Sequence, residues 1–383
     1  MSSSSPPVWT IVLAGMCAFF SLYVTQPILP LLSQVFHSSK GATSFTVTAS
    51  TLGVALAAPF MGRLADRYGR RRIMLISALL VGVTSLAAAT SLDLAQLIFW
   101  RFLQGVFTPG IFAVTVAYVN DEWPVESTGR AMSAYVSGTV VGGFCGRAIS
   151  GVVAEHGHWR WSFVVLGAMN IAAAAIMWRW LPRERRAARA VAGAFFAPAA
   201  AHMRNPELLA RYGIGFCVLF TLVGTFTYVT FYLAAPPFSL SPALLGAIFV
   251  VYLVGAALTP LAGGWVDRLG ARRMLIFAAS IGVVGIAITL APRVPAVAAG
   301  LALCCTGVFI GQTAMNSSLG QVVKHDRALA VGLYATFYYL GGSAGASVPS
   351  LAWRLGGWAA CVVLIALVQL STVAVAWRGF REA

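Results

Sequence analysis

Acidic residues are scarce in this chain: 11 Asp and Glu stand against 26 Lys and Arg in 383 residues. All eleven lie at or beyond the end of an apolar run, Asp66, Asp93, Asp121, Glu155 and Asp267 among them, and the five histidines fall in polar connections. A mechanism in which a buried carboxylate or imidazole exchanges a proton for a ligand therefore has no carrier of the usual kind, because such a group must sit inside the cavity it serves. Charge of either sign is also thin, at 10% of residues against 59% hydrophobic, with a mean hydropathy of +0.82. That balance excludes a water-soluble globule of this length. The six cysteines all lie within apolar runs, where they pack as small polarizable side chains, so neither a disulfide nor a metal site is expected. No G-x-x-x-x-G-K-[ST] pattern is present, which argues against work driven by ATP, and no nucleophile, base and acid cluster supports an enzyme. No cofactor is expected.

What the chain does have is apolar length. Runs of about 20 residues suffice to cross a ~30 Å hydrocarbon layer. Twelve can be counted, at roughly 8–34, 41–62, 73–92, 94–120, 130–155, 160–181, 212–235, 241–264, 273–291, 294–317, 328–350 and 357–377, here called spans 1 to 12. The first lacks the basic flank and small-residue cleavage site of a secretory signal and is counted as a span.

A net charge of +15 would suggest nucleic acid in a soluble protein, but its distribution gives another explanation. With the N-terminus inside, 20 of the 26 basic residues fall on the inner side, and only Lys40, Arg160, Arg293 and Arg354 on the outer side. This asymmetry places both termini in the cytoplasm, and nucleic acid is not expected as a partner.

The sequence also repeats itself. Gly62-Arg-Leu-Ala-Asp66-Arg67-Tyr-Gly69-Arg70 returns as Gly263-Gly-Trp-Val-Asp267-Arg268-Leu-Gly270, with Arg272 and Arg273 following, at an offset of 201 between the two aspartates. Tyr23-Val-Thr25 matches Tyr228-Val-Thr230, Gly142-Gly143 with Gly146 matches Gly341-Gly342 with Gly345, and Trp159 matches Trp358, all at offsets of 199 to 205. Four matches in one order imply two parallel repeats of six spans, with cargo held near the midplane between them. The expected division is 1–181 for the first bundle, 182–211 for a polar linker carrying a short surface helix, and 212–383 for the second.

At these residues the chain resembles the major facilitator superfamily. Gly62-x-Leu64-x-Asp66-Arg67-x-Gly69-Arg70-Arg71 is similar to the family's motif between spans 2 and 3, and Arg101-x-x-Gln104-Gly105 to its span 4 motif. Gly138-x-x-x-Gly142-Gly143-x-x-Gly146-Arg147 resembles the span 5 motif of twelve-span drug/proton antiporters, without its usual proline. Tyr23-x-x-Gln26-Pro27 and Tyr338-Tyr339-Leu-Gly-Gly342 are more similar to the YnfM-like and arabinose-efflux-like branch. The resemblance implies an all-α membrane protein of twelve transmembrane helices in two pseudo-symmetric six-helix bundles. It further implies a monomer in the cell inner membrane that exports a small polar, anionic or drug-like solute by alternating access, with protons as a partner if transport is coupled. An uncoupled facilitator or exchanger is the nearest alternative; a receptor or enzyme built on the same fold is a remote one.

Two sets of residues follow as candidates. For gating, Asp66 would face the positive N-terminal end of span 11 near 328–332 while Arg70 reaches Asp121. Gly62 and Gly69 would allow close approach and a tight turn, with Arg67 beside them. Asp267, Arg268 and Arg272 would latch span 8 to span 5 in the same manner. For cargo binding, Arg101 and Arg147 are the basic groups well inside the bilayer, ~10–12 Å from the outer surface at 1.5 Å per residue. Each must satisfy backbone carbonyls or point into a cavity; Arg101 has the further option of acting as a hub for spans 1, 4 and 5. Tyr23 and Gln26 of span 1, Gln104 of span 4, Thr225, Tyr228 and Tyr232 of span 7, Gln312 and Asn316 of span 10, and Tyr334 and Tyr338 of span 11 recur at helical spacing. Left in lipid, such amides and phenols would be costly.

Overall fold

The structure, a computed structural model, describes residues 7–184, 196–322 and 327–379. Among them there is no strand, and ten helices are long and apolar enough to cross a membrane. The segmented span 1 and the helix Arg327–Ser347 complete the twelve.

Span 1 is broken. Helix Trp9–Phe20 gives way to turns over 21–25, a 3₁₀ turn Gln26–Ile28 and a short helix Leu29–Val35. Spans 2 and 3 are Lys40–Tyr68 and Arg70–Ala89, and the expected loop between them is almost entirely helical. Gly69, at φ 94°, makes the whole turn, and Gly270, at φ 80°, does the same between spans 8 and 9. Only glycine takes such angles without strain, so these two positions specify the hairpins. Span 4 bends where helix Leu94–Phe107 meets Pro109–Glu122, since Pro109 lacks the N–H that would continue the ladder. Spans 5 and 6 are Val125–His156 and Trp159–Trp180.

A short helix, Phe196–Arg204, lies in the expected linker, whose residues 185–195 are outside the described set. Span 7 starts at Pro206 rather than near 212, because Asn205 caps it by accepting from Glu207 N at 2.9 Å and Pro206 is suited to the first turn. Span 8 comprises Pro242–Ala247, Ile248–Val250 and Val251–Leu269. Spans 9, 10 and 11 are Ala271–Ile288, Val294–Val322 and Arg327–Ser347. Span 12, within Pro349–Gly379, follows a break at Gly356 and Gly357.

The glycine repeats mark close helix contacts. A Cβ placed on Gly146 of span 5 would lie 2.0 Å from the Phe20 carbonyl oxygen of span 1, and one on Gly341 of span 11 would lie 2.0 Å from the Phe216 carbonyl oxygen of span 7. Small residues at these positions let backbones touch, which is the main attraction available between helices in lipid. The same contact thus recurs in both bundles.

Where the bundles meet, span 2 runs against span 11 and span 5 against span 8. At the end carrying Lys40 and Arg354, Ser44 bonds Tyr228 at 3.1 Å and Thr51 bonds Ser343 at 2.9 Å. Span 8 crosses closely over Gly151, where a Cβ would stand 2.3 Å from the Pro242 oxygen. At the opposite ends of spans 5 and 8, a Cβ on Gly129, Gly263 or Gly264 would meet nothing within 4 Å. Among the described residues the bundles are therefore packed together at the end carrying Lys40 and Arg354, called the outer end here after the expected charge distribution, and parted on the span 5 and span 8 side at the opposite, inner end. Gly62 also has open space around it, so the close approach expected there is not made.

This packing yields a direct test. Gly146→Ala forces the Phe20 backbone away and should destabilise the protein by about 1–3 kcal/mol, whereas Gly129→Ala should leave the melting temperature of purified protein unchanged or slightly raised. Equal melting of the two variants would contradict the packing described.

Candidate functional site

The two buried arginines have different surroundings. Arg101, fully buried, donates to the Thr46 oxygen at 3.2 Å, the Ser21 oxygen at 2.6 Å and Ser50 Oγ at 3.0 Å, and also to the Leu22 oxygen and Gln104 Oε1. The carbonyls of Ser21 and Leu22 are available because span 1 leaves its helix there, so Arg101 supplies the donors that the break in the ladder removed. Gln104 extends this hub to the Val81 oxygen of span 3 at 3.5 Å. The expected hub is thus present, but it joins spans 1, 2, 3 and 4, and span 5 takes no part. Arg101 and Gln104 lie within one bundle, away from the interface between the two.

Arg147 lies between the bundles. Its Nε donates to Gln26 Oε1 at 2.8 Å and its NH1 to the Gly143 oxygen at 2.6 Å. The guanidinium sits over Tyr23 of span 1 at 4.6 Å, and over Phe249 and Tyr252 of span 8 at 4.8 Å each. Gln26 in turn donates to Thr227 Oγ1 of span 7 at 3.3 Å. Three rings from both bundles therefore surround one cation, a favourable arrangement where water is excluded. Guanidinium carries five N–H donors and two are engaged here, leaving three without an acceptor among the described residues. The described ion pairs, Arg70 with Asp66 and with Asp121, do not involve Arg147.

A second aromatic series crosses the interface. Phe19 and Phe112 of the first bundle, 6.2 Å apart, meet Tyr339 of span 11 at 5.6 Å from Phe112. Tyr338 continues it, 5.5 Å from Tyr339 and 6.0 Å from Tyr334. The Tyr334 hydroxyl and Gln312 Oε1 are buried without a hydrogen-bond partner, and Asn316 is exposed. Of the expected cargo residues, the fold thus joins Tyr23, Gln26 and Arg147, and it ties Tyr334 and Tyr338 to the first bundle through Tyr339.

The other candidates lie elsewhere. Thr225 contacts Cys304 at 3.9 Å inside the second bundle. Tyr228 bonds Ser44 and the Ala346 oxygen, the latter at 2.9 Å, and Tyr232 stacks on Trp358 at 5.6 Å, both towards the outer end. Phe249, Tyr252 and Phe112 were not singled out from sequence, and Tyr339 only as part of a family motif, because aromatic residues in apolar spans look like ordinary core. For Phe249 and Tyr252 the only signal was a spacing of three residues on a helix.

At the inner end, Arg70 reaches Asp121 as expected, bonds the Ala117 oxygen at 2.6 Å and pairs with Asp66 at 3.2 Å. The Asp66 carboxylate is thus turned to Arg70; the start of span 11 adjoins residues 323–326, which lie outside the described set. Glu184, not anticipated, accepts from the Arg71 backbone N–H and so caps span 3. Arg67 lies over its neighbour Tyr68 at 5.3 Å. In the second copy Asp267 and Arg268 are exposed, and Arg272 rests on Trp377 of span 12 at 4.2 Å. Among the described residues no ion pair joins Asp267 of span 8 to span 5. A charged contact between the same spans occurs instead at the outer end, where Glu155 accepts from Ala243 N at 2.8 Å at the start of span 8. Lys40 over Trp353, at 4.4 Å, closes the opposite side of the outer mouth.

Residues 11–346 match the family model described as Major Facilitator Superfamily, and residues 214–382 match it a second time. The MFS-type transporter YybF of Bacillus subtilis is 31% identical over 93% of this chain and 89% of its own length. The inner membrane transport protein YnfM of Escherichia coli is 29% identical over 96% of this chain and 89% of its own. A bacterial homologue of the human lysosomal transporter Spinster, solved in an inward-facing and occupied conformation, superposes with a TM-score of 0.77 over 97% of this chain and 96% of that one at 16% identity. A mutant of the nucleoside transporter NupG gives 0.79 over 98% and 100% at 12% identity. These two similarities establish the fold.

Two predictions follow from the site. Arg101→Ala leaves Ser21 O with only the long bond from Val24 N at 3.4 Å and Leu22 O with only that from Ser50 Oγ at 3.2 Å, and it unties span 4 from spans 1 and 2, so expression and melting temperature should fall while any remaining transport keeps its cargo preference; a changed preference at normal stability would contradict the hub. Glu155→Ala removes the carboxylate that accepts from Ala243 N at the start of span 8. Distances between spin labels at the exposed positions Val152 and Leu244 should then shift towards longer values, and an unchanged distribution would show that Glu155 does not hold the outer ends together.

Proposed function

The chain belongs to the major facilitator superfamily, and on that premise we propose that it is a secondary transporter exporting a small solute with an anionic or polyhydroxylated group. The observation that carries this reading is Arg147: a buried cation at the bundle interface, enclosed by rings from both halves, with unused donors and no carboxylate paired to it. Desolvating a guanidinium costs several kcal/mol unless it gains partners. Gln26, Gly143 and the three rings offset part of that cost, and an anionic or hydroxyl-bearing cargo offsets more through charge-assisted hydrogen bonds.

Alternating access then has a physical basis at this residue. Arg147 belongs to span 5 and two of its rings to span 8, so any rocking that separates these spans also opens the ring enclosure. Binding of cargo to the unused donors and closure of the rings compete for the same guanidinium, which couples occupancy to bundle movement. Asp66 and the start of span 11, with Asp267 and span 5, would make the opposing inner contacts in the outward-open state. Export from the cytoplasm across the inner membrane, by a monomer with both termini inside, fits the charge distribution and the similarity to YnfM.

Proton coupling would have to act through a carboxylate at a span end or through the cargo's own proton. Asp93 already caps span 4 by accepting from Gln96 N at 2.7 Å, and Asp121 holds Arg70. Glu155 is a carboxylate that bridges the bundles. An uncoupled facilitator is the alternative, supported by the absence of any acidic residue from the interior of the spans.

The test compares matched anionic and cationic ligands. Arg147→Lys retains charge but loses the planar fork, and should weaken anion binding by roughly tenfold or more, the equivalent of about 1.5–3 kcal/mol for a hydrogen bond to a charged group. Arg147→Ala should abolish efflux from loaded vesicles without the loss of melting temperature expected of Arg101→Ala. Tighter binding of cations than of anions by the wild type would overturn the proposal.

A further inference from the structure

The two bundles share one more element of the repeat, at the inner ends of their last spans. Trp178-Arg179 of span 6 returns 199 residues later as Trp377-Arg378 of span 12, and Arg71-Arg72 at the start of span 3 returns 201 residues later as Arg272-Arg273 at the start of span 9. Spans 3 and 6 pack side by side, as do spans 9 and 12, so the two pairs meet in each bundle. Arg71 donates from NH2 to the Trp178 oxygen and from Nε to the Leu181 oxygen at 2.9 Å, while Arg272 lies over the Trp377 ring at 4.2 Å. Equivalent arginines thus touch equivalent tryptophans.

The rest of each pair faces outward. Trp178 is 70% exposed and Trp377 64%, and Arg72, Arg179, Arg273 and Arg378 are exposed beside them. The positive-inside asymmetry accounts for basic residues at an inner end, but it depends on their number and requires neither an adjacent tryptophan nor the same pairing in both halves. Buried polar groups have diverged over the same interval, Cys304 standing at the repeat position of Arg101, whereas this surface pairing is kept twice. A tryptophan at the edge of the hydrocarbon sits at headgroup level, and an arginine beside it extends to the same level and can donate two parallel hydrogen bonds to a phosphate. In the first bundle the neighbouring carboxylates are already engaged, Glu184 by the Arg71 backbone N–H and Asp66 by Arg70.

We propose that each bundle holds one anionic phospholipid of the inner leaflet at this corner, its phosphate on Arg72 and Arg179 and its glycerol against Trp178 in the first bundle, with Arg273, Arg378 and Trp377 doing the same in the second. A zwitterionic headgroup fits less well, because it brings a cation of its own to a pair of guanidinium groups. Each site lies within a single bundle, so the bound lipid anchors each half separately and does not bridge the seam that must open.

The test counts bound lipids. Purified, delipidated full-length protein is titrated with dioleoyl phosphatidylglycerol or dioleoyl phosphatidylcholine and followed by native mass spectrometry. Wild type should retain two molecules of phosphatidylglycerol at concentrations where phosphatidylcholine is lost. Arg72→Gln combined with Arg179→Gln should remove one of them and Arg273→Gln combined with Arg378→Gln the other, each weakening its site roughly thirtyfold. These four side chains are exposed, so melting of the lipid-free variants should match wild type. Trp178→Leu keeps every charge and should weaken the first site alone. Arg130→Gln combined with Arg204→Gln removes the same charge from other exposed inner positions and should leave both lipids bound. Equal retention of phosphatidylcholine, or no effect of a double variant or of Trp178→Leu, would overturn the proposal. So would an equal loss in the Arg130 and Arg204 control, which is the result for general attraction between a basic surface and anionic lipid.

Discussion

In hydrocarbon no water can satisfy a backbone group that has lost its helical partner, and the first bundle is organised around one such loss. Span 1 leaves the helix over 21–25 and its carbonyls must find donors. Arg101 supplies them from span 4, and in doing so fixes spans 1 and 2 to span 4 and, through Gln104, to span 3. The break that creates this demand is also what carries Tyr23 and Gln26 away from a regular helical register to meet Arg147 of span 5. One interruption in a helix therefore produces both a rigid hub and an interface cation, and the two arginines, though at similar depth, do different work.

The two bundles share their packing but not their polar interior. Gly146 on span 1 and Gly341 on span 7 make the same contact by the same means. Span 7 nevertheless has no break, so it needs no arginine, and Cys304 stands in the second bundle at the repeat position of Arg101. The backbone plan is thus repeated while the buried polar groups diverge.

Closure at the outer mouth depends on weak, reversible contacts. Hydroxyl pairs from span 2 to spans 7 and 11, one carboxylate at the start of span 8, and Lys40 over a tryptophan join the bundles there. None is a buried ion pair, whose rupture would leave a charge stranded at a cost of several kcal/mol. An interface that must open and close is better served by many small terms than by one large one.

The membrane class, the twelve spans, the two repeats and the turns at Gly69 and Gly270 were legible from the sequence, because each rests on a local property: apolar length, charge at span ends, or a residue type that only one backbone geometry favours. The pairing of Arg70 with Asp121 could also be read, since charged groups at the ends of neighbouring helices have few partners to choose from. Pro27 and Pro30 signal an interruption of span 1, but the extent of the unwinding over 21–25 could not be read, because it depends on donors from other spans. Nor could the different surroundings of Arg101 and Arg147, which occupy equivalent depths in adjacent spans and part ways only when span 1 bends towards one and span 8 closes over the other. Tyr228 and Thr225 shared a helical face with the expected cargo residues, yet one serves the outer closure and the other the interior of a bundle. Periodicity fixes which side chains lie on one face of a helix, whereas what that face meets depends on the packing of spans distant in sequence, and only the tertiary structure decides that.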